Sequence, residues 1–323
     1  MLVTIDDVRA AAARVAGVAP ETPLRSVGPA APWAHAFALK CEHLGPIGAF
    51  KLRGAYNLMS QLTPQQQTAG VVTYSSGNHG QAVARSAQLL GIRAVVVMPT
   101  QAPAIKVEKT RAYGAEVILE GTTSLERQAR AEAEARARGL TMVPPFDDPR
   151  TIAGAGTVAL EILARVPALQ AVFVPIGGGG LVSGVAVVVK ALRPEAAVIG
   201  VEPEGAACMT ASLAAGRPVT LASTASIADG LLPVRPGDLT FLHVASLVDE
   251  VRTVADSSIV NAMRWIYDST GMQAEPSGAV SVAAALAAGP AQPGVVAVIS
   301  GGNVDPAVFQ ATTAAAPGEP FSA

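Results

Sequence analysis

The sequence predicts an α/β fold on parallel sheet, and three observations lead there. Short β-branched runs alternate with longer alanine-rich segments. The runs are continuously apolar rather than alternating, as strands covered on both faces must be. Several of them end in small polar or glycine-rich turns that open a helix, the place where parallel sheets bind ligands. Such alternation requires right-handed crossovers. A length of 323 residues suits about two domains and buries a large core without disulfide staples.

Phe37 to Glu42 is strand-like. Val71 to Tyr74 reads as a strand and leads into a helix from Gly80 to Leu90. Ala94 to Met98 precedes a helix from about Pro103 to Tyr113, and Glu116 to Leu119 precedes a charged helix, Ser124 to Arg138. That last helix spaces its charges as a solvated surface helix does. Pro144-Pro145 and Asp147-Asp148-Pro149 form a break. Ala171 to Ile176 precedes a helix from Gly180 to Leu192, Val198 to Val201 follows, and Val295 to Ile299 closes the series. The tail from Ala311 to Ala323 is rich in Ala, Thr and Pro and is expected to fray.

Composition excludes several functions. Half of the residues are apolar and 15% are charged, which rules out disorder. The 23 basic and 25 acidic residues leave a net charge of −2 without a basic cluster, and only 4% of residues are aromatic, so nucleic acid is not an expected partner. Cys41 and Cys208 are too few for a disulfide framework or a four-cysteine metal site. The start, Met1 to Asp7, lacks the regions of a secretory signal, and Pro290 and Pro293 interrupt the apolar stretch at 278–299. A cytoplasmic protein without a membrane span is expected.

Four stretches can carry chemistry. Gly177-Gly178-Gly179-Gly180-Leu181 follows an apolar strand and opens a helix. Ordering four glycines costs chain entropy, so such a run marks a close approach of the backbone to something. Free N–H groups and the positive helix end favour an anion, most often a phosphate. Leu181 stands where a P-loop needs lysine. A dinucleotide fingerprint lacks its last glycine, although Glu202 lies where a ribose-binding acid would, so a dinucleotide-binding oxidoreductase is a rival reading. A bare packing turn is the plain alternative. Ser75-Ser76-Gly77-Asn78-His79-Gly80-Gln81, also at a strand end, offers hydroxyls and N–H groups to a carboxylate, or simply caps a helix.

Lys51 stands apart from Lys40, Lys106, Lys109 and Lys190. Lys106 and Lys109 read as surface charges, Lys190 suits a helix C-terminus, and Lys40 can pair with a carboxylate. Lys51 lies among apolar residues at an expected helix start, where burial and the helix end disfavour the ammonium and make a nucleophilic amine. The alternative is a snorkelling side chain. Ser300-Gly301-Gly302-Asn303 forms a fourth small polar strand end, or a turn.

These stretches together resemble the threonine/serine dehydratase and serine racemase family, pyridoxal phosphate enzymes of the tryptophan synthase β-like fold (fold type II). The matching stretches are residues 39–55, SSGNHGQAVA (75–84), GGGGLVSG (177–184), GVEP (200–203), ADG (228–230), EPSGA (275–279) and SGGN (300–303), in the family's order. The resemblance implies a large cofactor-binding domain of residues 1–60 and 148–323, with a small α/β domain of residues 61–147 inserted in it. It implies that Lys51 forms the Schiff base and is the catalytic base, that Phe50 packs by the ring and that Asn78 meets the ring hydroxyl. Gly177, Gly178, Gly179, Gly180 and Leu181 would hold the phosphate, and Ser300 would meet the pyridine nitrogen. Ser75, Ser76, Gly77 and His79 would grip the substrate carboxylate, and Ser76 corresponds to the second base of the racemase members. The implied reaction turns L-threonine or L-serine into the 2-oxo acid and ammonia. Serine racemisation and dehydration of 3-hydroxyaspartate are alternatives on the same scaffold. A homodimer is implied because family members commonly form one.

Three positions depart from the family's pattern. Ala49 replaces a serine before Phe50-Lys51. Gly154-Ala155-Gly156-Thr157 replaces Gly-Gln-Gly-Thr, a change expected to alter the cleft lining. Some members bind a divalent cation such as Mg²⁺ through a glutamate, a carbonyl and an aspartate; Glu202, Ala206 and Cys208 stand there, one carboxylate short. Little chain follows Ser300, so control through a C-terminal regulatory domain is not expected.

Overall fold

The computed structural model describes residues 1–28, 37–75, 77–102, 104–289 and 293–314. The strands among them are β1 (Leu24–Val27), β2 (Phe37–Cys41), β3 (Val71–Tyr74), β4 (Ala94–Met98), β5 (Glu116–Leu119), β6 (Thr141–Met142), β7 (Ala171–Pro175), β8 (Ala197–Pro203), β9 (Glu250–Val254) and β10 (Val295–Ile299). The first six helices are α1 (Ile5–Val15), α2 (Lys51–Met59), α3 (Pro64–Ala69), α4 (Asn78–Leu90), α5 (Ala104–Ala112) and α6 (Ser124–Arg138). The others are α7 (Pro149–Arg165), α8 (Gly180–Leu192), α9 (Cys208–Ala215), α10 (Asp238–Leu247), α11 (Asp256–Thr270), α12 (Pro276–Ala288) and α13 (Pro306–Ala314). Of the tail expected to fray, Ala311 to Ala314 instead form the end of α13, and the rest lies outside the described residues.

Two sheets form. The larger has the order β1-β2-β10-β7-β8-β9, parallel except where β1 runs against β2. The smaller, β5-β4-β3-β6, is wholly parallel. β4 (AVVVM) and β10 (VVAVI) are buried at every residue, which is why neither alternates in sequence. The edge strand β9 carries Glu250 and Arg252, charges that discourage further pairing. Each sheet draws its strands from one side of the expected division, and we propose that the chain divides as read, into 1–60 with 148–323 and the inserted 61–147.

Apolar helix faces cover the sheets. α1, α7, α8 and α10 pack on one face of the large sheet, and α11 and α12 on the other. The small sheet lies between α2, α4 and α5 on one side and α6 on the other. α6 opens on a Thr123/Glu126 capping box and α7 on Asp148 followed by Pro149, so the proline-rich break before it is a helix start. A Cβ on Gly154 would lie 2.5 Å from the Arg53 carbonyl, and one on Gly156 2.8 Å from the Gly184 carbonyl. The Gly154–Thr157 segment is therefore a helix crossing against α2 and α8, not the cleft lining expected from sequence. Among the described residues no helix is long and apolar enough to cross a membrane.

Candidate active site

Strand ends from both sheets face one cleft. β3 runs out at Ser75 and opens α4, β7 runs into the glycine bend and opens α8, β10 ends at Ser300, and the loop after β2 opens α2 at Lys51. Together they line a cavity of about 440 Å³. Phe50, Lys51, Asn78, His79 and Ser300 lie on its wall with the whole glycine run and Leu181.

Backbone hydrogen bonds fix the loop that carries Lys51. The Phe50 N–H donates to the Ser300 carbonyl at 3.1 Å, the Gly302 N–H to the Gly48 carbonyl at 2.9 Å, and Ala49 bridges Gly301. The Lys51 ammonium donates to the Pro145 carbonyl at 2.8 Å and lies 5.0 Å from the centre of the Phe50 ring. It touches the cavity but is screened from bulk water, and that desolvation pulls its pKa down to about 8. Among the described residues it is the one lysine on the cavity wall.

A buried charge cluster braces α2 from behind. Arg53, 2% exposed, gives two hydrogen bonds to Glu42 at 2.8 and 3.0 Å and two to Glu161 at 2.6 and 3.0 Å. Burial works against the Arg53 cation, but the facing carboxylates hold its pKa above the usual value. Glu42, despite its burial, is held below the usual carboxylate range by Arg53 and Lys40. Lys40 pairs with Glu161, the kind of carboxylate partner expected for it. Arg53 was not singled out in sequence, although an arginine two residues after a candidate nucleophile in an apolar run signals a buried pair.

The glycine bend is required sterically. A Cβ on Gly178 would lie 2.2 Å from the Phe146 ring, and Gly179 has φ +96° with Thr240 and Met209 2.9 Å from where its Cβ would stand. Thr240 Oγ1 donates to the Gly178 carbonyl at 2.6 Å and ties the bend to α10. Among the described residues no acceptor takes the N–H groups of Gly177, Gly178 or Gly179, and the first turn of α8 adds its own free donors. A cradle of donors beside an amine of lowered pKa fits a ligand with an anionic arm and an electrophilic carbon.

The loop after β3 departs in part from expectation. Ser75 Oγ accepts the Gly77 N–H at 3.0 Å, and Ser76 lies outside the described residues. His79 is buried, and its Nε2 faces the Val143 carbonyl at 3.1 Å, so the proton sits there. Burial, with the nearby Lys51 charge, lowers its pKa to about 3. A neutral imidazole with its donor engaged cannot grip a carboxylate, so only the backbone N–H of His79, in the first turn of α4, is available for that task. The Asn78 amide donates to Glu275 Oε1 and accepts from Asn303 at 2.9 Å. Ser300 Oγ is buried and donates to the Ser277 carbonyl at 3.4 Å.

Two buried groups escaped the sequence reading. Glu275 stands at the N-cap position of α12, its Oε2 accepts no hydrogen bond, and burial is the main reason its pKa rises to about 7. Lys106, expected at the surface, is buried; it crosses beneath Gly77 to pair with Asp229 and lies 3.9 Å from Glu275. Burial disfavours the Lys106 cation, but these two carboxylates raise its pKa.

A cation site at Glu202 and Ala206, which the resemblance left open, does not fit. Glu202 accepts the Met209 and Thr210 N–H groups at 2.8 Å each and the Thr210 hydroxyl at 2.7 Å, so it caps α9. Cys208 is the buried first residue of that helix, its thiol pushed up to about 12 by burial. Among the described residues no group of three His, Cys, Asp or Glu side chains can hold a metal ion. The same engagement removes Glu202 as a ribose acid.

The pyridoxal-phosphate dependent enzyme family model matches residues 15–301. The chain is 45% identical over 268 residues to an L-threonine ammonia-lyase of Thermotoga maritima, covering 83% of this chain and 67% of that protein. It is 46% identical over 245 residues to the biosynthetic L-threonine dehydratase of Escherichia coli, covering 76% of this chain and 48%, about half, of that relative. The solved structure of maize serine racemase superposes with a TM-score of 0.89 at 39% identity, covering 97% of this chain and 98% of that one.

Proposed function

The chain belongs to the pyridoxal-phosphate dependent enzyme family, and from that premise we propose that it is a lyase that converts L-threonine or L-serine to the 2-oxo acid and ammonia. Pyridoxal phosphate is its cofactor. The relatives named for threonine deamination support the reaction. The observation that carries the reading is Lys51, a desolvated amine on the wall of a cavity whose other side is a bend of free N–H donors.

When bound, pyridoxal phosphate supplies an aldehyde carbon and an electron-accepting ring. Gly177 to Leu181 would hold its phosphate with backbone N–H groups. Phe50 would pack by the ring, Asn78 would meet its hydroxyl, and the neutral Ser300 hydroxyl would face its nitrogen. A neutral partner at that position would favour prompt loss of the substrate's β-hydroxyl over transamination. The Ser75 hydroxyl, the start of α4 and, by resemblance, Ser76 orient the substrate carboxylate. Lys51 Nζ takes the proton from the substrate Cα. With a pKa near 8, a useful fraction of this amine is neutral at physiological pH. A cytoplasmic homodimer completes the proposal, to be checked by fractionation and sedimentation.

Borohydride reduction of the purified protein followed by peptide mapping tests the assignment. The label is expected on Lys51, and Lys51→Ala should abolish 2-oxo acid release from both substrates. Substantial turnover by that variant would show that another group is the base. Chiral analysis of the serine left behind separates elimination from racemisation.

A further inference from the structure

Asn78 is the first residue of α4 and lies on the cavity wall, and its amide is held from two sides. Its Oδ1 accepts an N–H of Asn303 at 2.9 Å, and its Nδ2 donates to Glu275 Oε1. Glu275 stands before α12 and Asn303 in the loop after β10, 197 and 225 positions away in the chain.

The two ends of an amide differ in what they can bond, so their placement follows from their partners. Asn303 Nδ2 also donates to the Ile47 carbonyl at 2.8 Å, a group that can only accept. Asn303 Oδ1 accepts from the Lys109 ammonium at 3.1 Å, a group that can only donate. Asn303 therefore turns a donor toward Asn78, and the atom it meets there must be the oxygen. Glu275, 2% exposed, takes a hydrogen bond at the other edge and so requires the nitrogen. Both neighbours demand the same orientation.

Two glycines make room for this network. A Cβ on Gly301 would lie 2.0 Å from Glu275 Oε1 and 2.9 Å from Asn78 Nδ2, and one on Gly48 would lie 2.8 Å from Asn303 Oδ1. Gly48 and Ile47 belong to the loop that carries Lys51, so Asn303 joins that loop to Asn78. With the amide so held, Asn78 has one N–H left, and among the described residues nothing takes it.

We infer that Glu275 and Asn303 are positioning residues that make Asn78 a donor, and not an acceptor, toward the ring oxygen of bound pyridoxal phosphate, and so keep that oxygen ionised. The inference rests on the proposed pyridoxal phosphate lyase reading and deepens it. A donor at an anionic oxygen favours the ionised form, whereas an amide oxygen turned there would favour the protonated one. An amide fixed beforehand by its neighbours does not have to be ordered when the cofactor arrives.

The test reads the absorbance of the holoenzyme at pH 8. Bound cofactor with an ionised ring oxygen absorbs in the violet, and with a proton on that oxygen it absorbs in the near-ultraviolet. The ratio of the two bands should fall in Asn303→Leu. In the Asn303→Leu/Glu275→Leu double variant, where neither neighbour holds the amide, it should fall about 10- to 100-fold, the range that a hydrogen bond to a charged group commands. Borohydride labelling of Lys51 confirms that each variant carries the cofactor. Neutron diffraction from deuterium-exchanged wild-type holoenzyme needs no variant. A deuteron on Asn78 Nδ2 should point at the ring oxygen, with Asn303 on Oδ1. An unchanged band ratio in the loaded double variant, or Asn78 Oδ1 facing the ring oxygen, overturns the inference, while release of 2-oxo acid by the wild type leaves the lyase reading standing. If the wild type takes up no cofactor, the lyase reading falls and takes the inference with it.

Discussion

Replacing Arg53 with methionine would leave two carboxylates facing a single ammonium behind the active-site helix. Arg53 and Glu42 side chains are each 2% exposed, and their hydrogen bonds measure 2.8 and 3.0 Å. Unit charges about 4 Å apart attract by about 4 kcal/mol at the effective dielectric of a protein. The burial of both partners offsets much of that, so the pair as a whole adds little. Removing one partner is different, because the other charge stays behind. Such losses run at about 3–5 kcal/mol, a large share of the 5–15 kcal/mol that typically separates folded from unfolded states. Lys40 still lies 3.7 Å from Glu42, which favours the lower end. The pH dependence is diagnostic. In the wild type Glu42 titrates below its unfolded value, so its contribution is present above that value and is lost as pH falls through the folded one. In the variant, burial without Arg53 raises the folded pKa, so stability is greatest at low pH and is lost as pH rises. The deficit should therefore be about 3 kcal/mol at pH 8 and smaller at pH 5, measured by urea denaturation with circular dichroism. Because Arg53 and Lys51 share the first turn of α2, kcat should also fall, by about tenfold or more. A deficit below about 1 kcal/mol at pH 8, or one equal at both pH values, refutes the account of a buried, paired cluster.

Three further outcomes are expected. The rate at which apoprotein captures pyridoxal phosphate, followed by absorbance, should rise through pH 8 as Lys51 loses its proton and then level off; a flat profile from pH 6.5 to 9.5 would place the reacting amine elsewhere. Gly178→Ala puts a methyl group 2.2 Å from the Phe146 ring, so stability should drop by about 1–3 kcal/mol and cofactor affinity in equilibrium dialysis should fall with it. Glu275 has a raised folded pKa, so its stabilising share is present below the unfolded value and is lost as pH rises through about 7. Glu275→Gln should accordingly gain on the wild type between pH 5 and pH 8, by about 1–3 kcal/mol; a constant difference in denaturation midpoint would contradict the buried-acid reading.

Much of the scaffold was legible in the sequence. Val71–Tyr74, Ala94–Met98 and Val295–Ile299 form strands at the residues their apolar runs marked, and the charged helix Ser124–Arg138 has the expected ends. The cavity gathers Lys51, the glycine bend, Asn78 and Ser300, each visible as a short motif at a strand or loop end. The misreadings share a cause. Lys106 on a polar helix looked solvated because composition does not reveal what packs against a helix from a distant part of the chain. His79 looked like a carboxylate grip until Val143, which claims its proton, was in view. Glu202 looked like a ligand or a ribose acid until the turn it caps came into view.

Local chemistry alone determined where strands and helices begin, because apolar runs, proline breaks and capping residues act within a few positions. It also singled out Lys51 among five lysines. Tertiary structure alone decided which distant charged and polar groups meet. Arg53 and Glu161 are 108 positions apart, Lys106 and Asp229 are 123, and Asn78 and Glu275 are 197. Electrostatic pairing and desolvation depend on distance through space and on the water excluded there, and neither quantity is written in residue spacing.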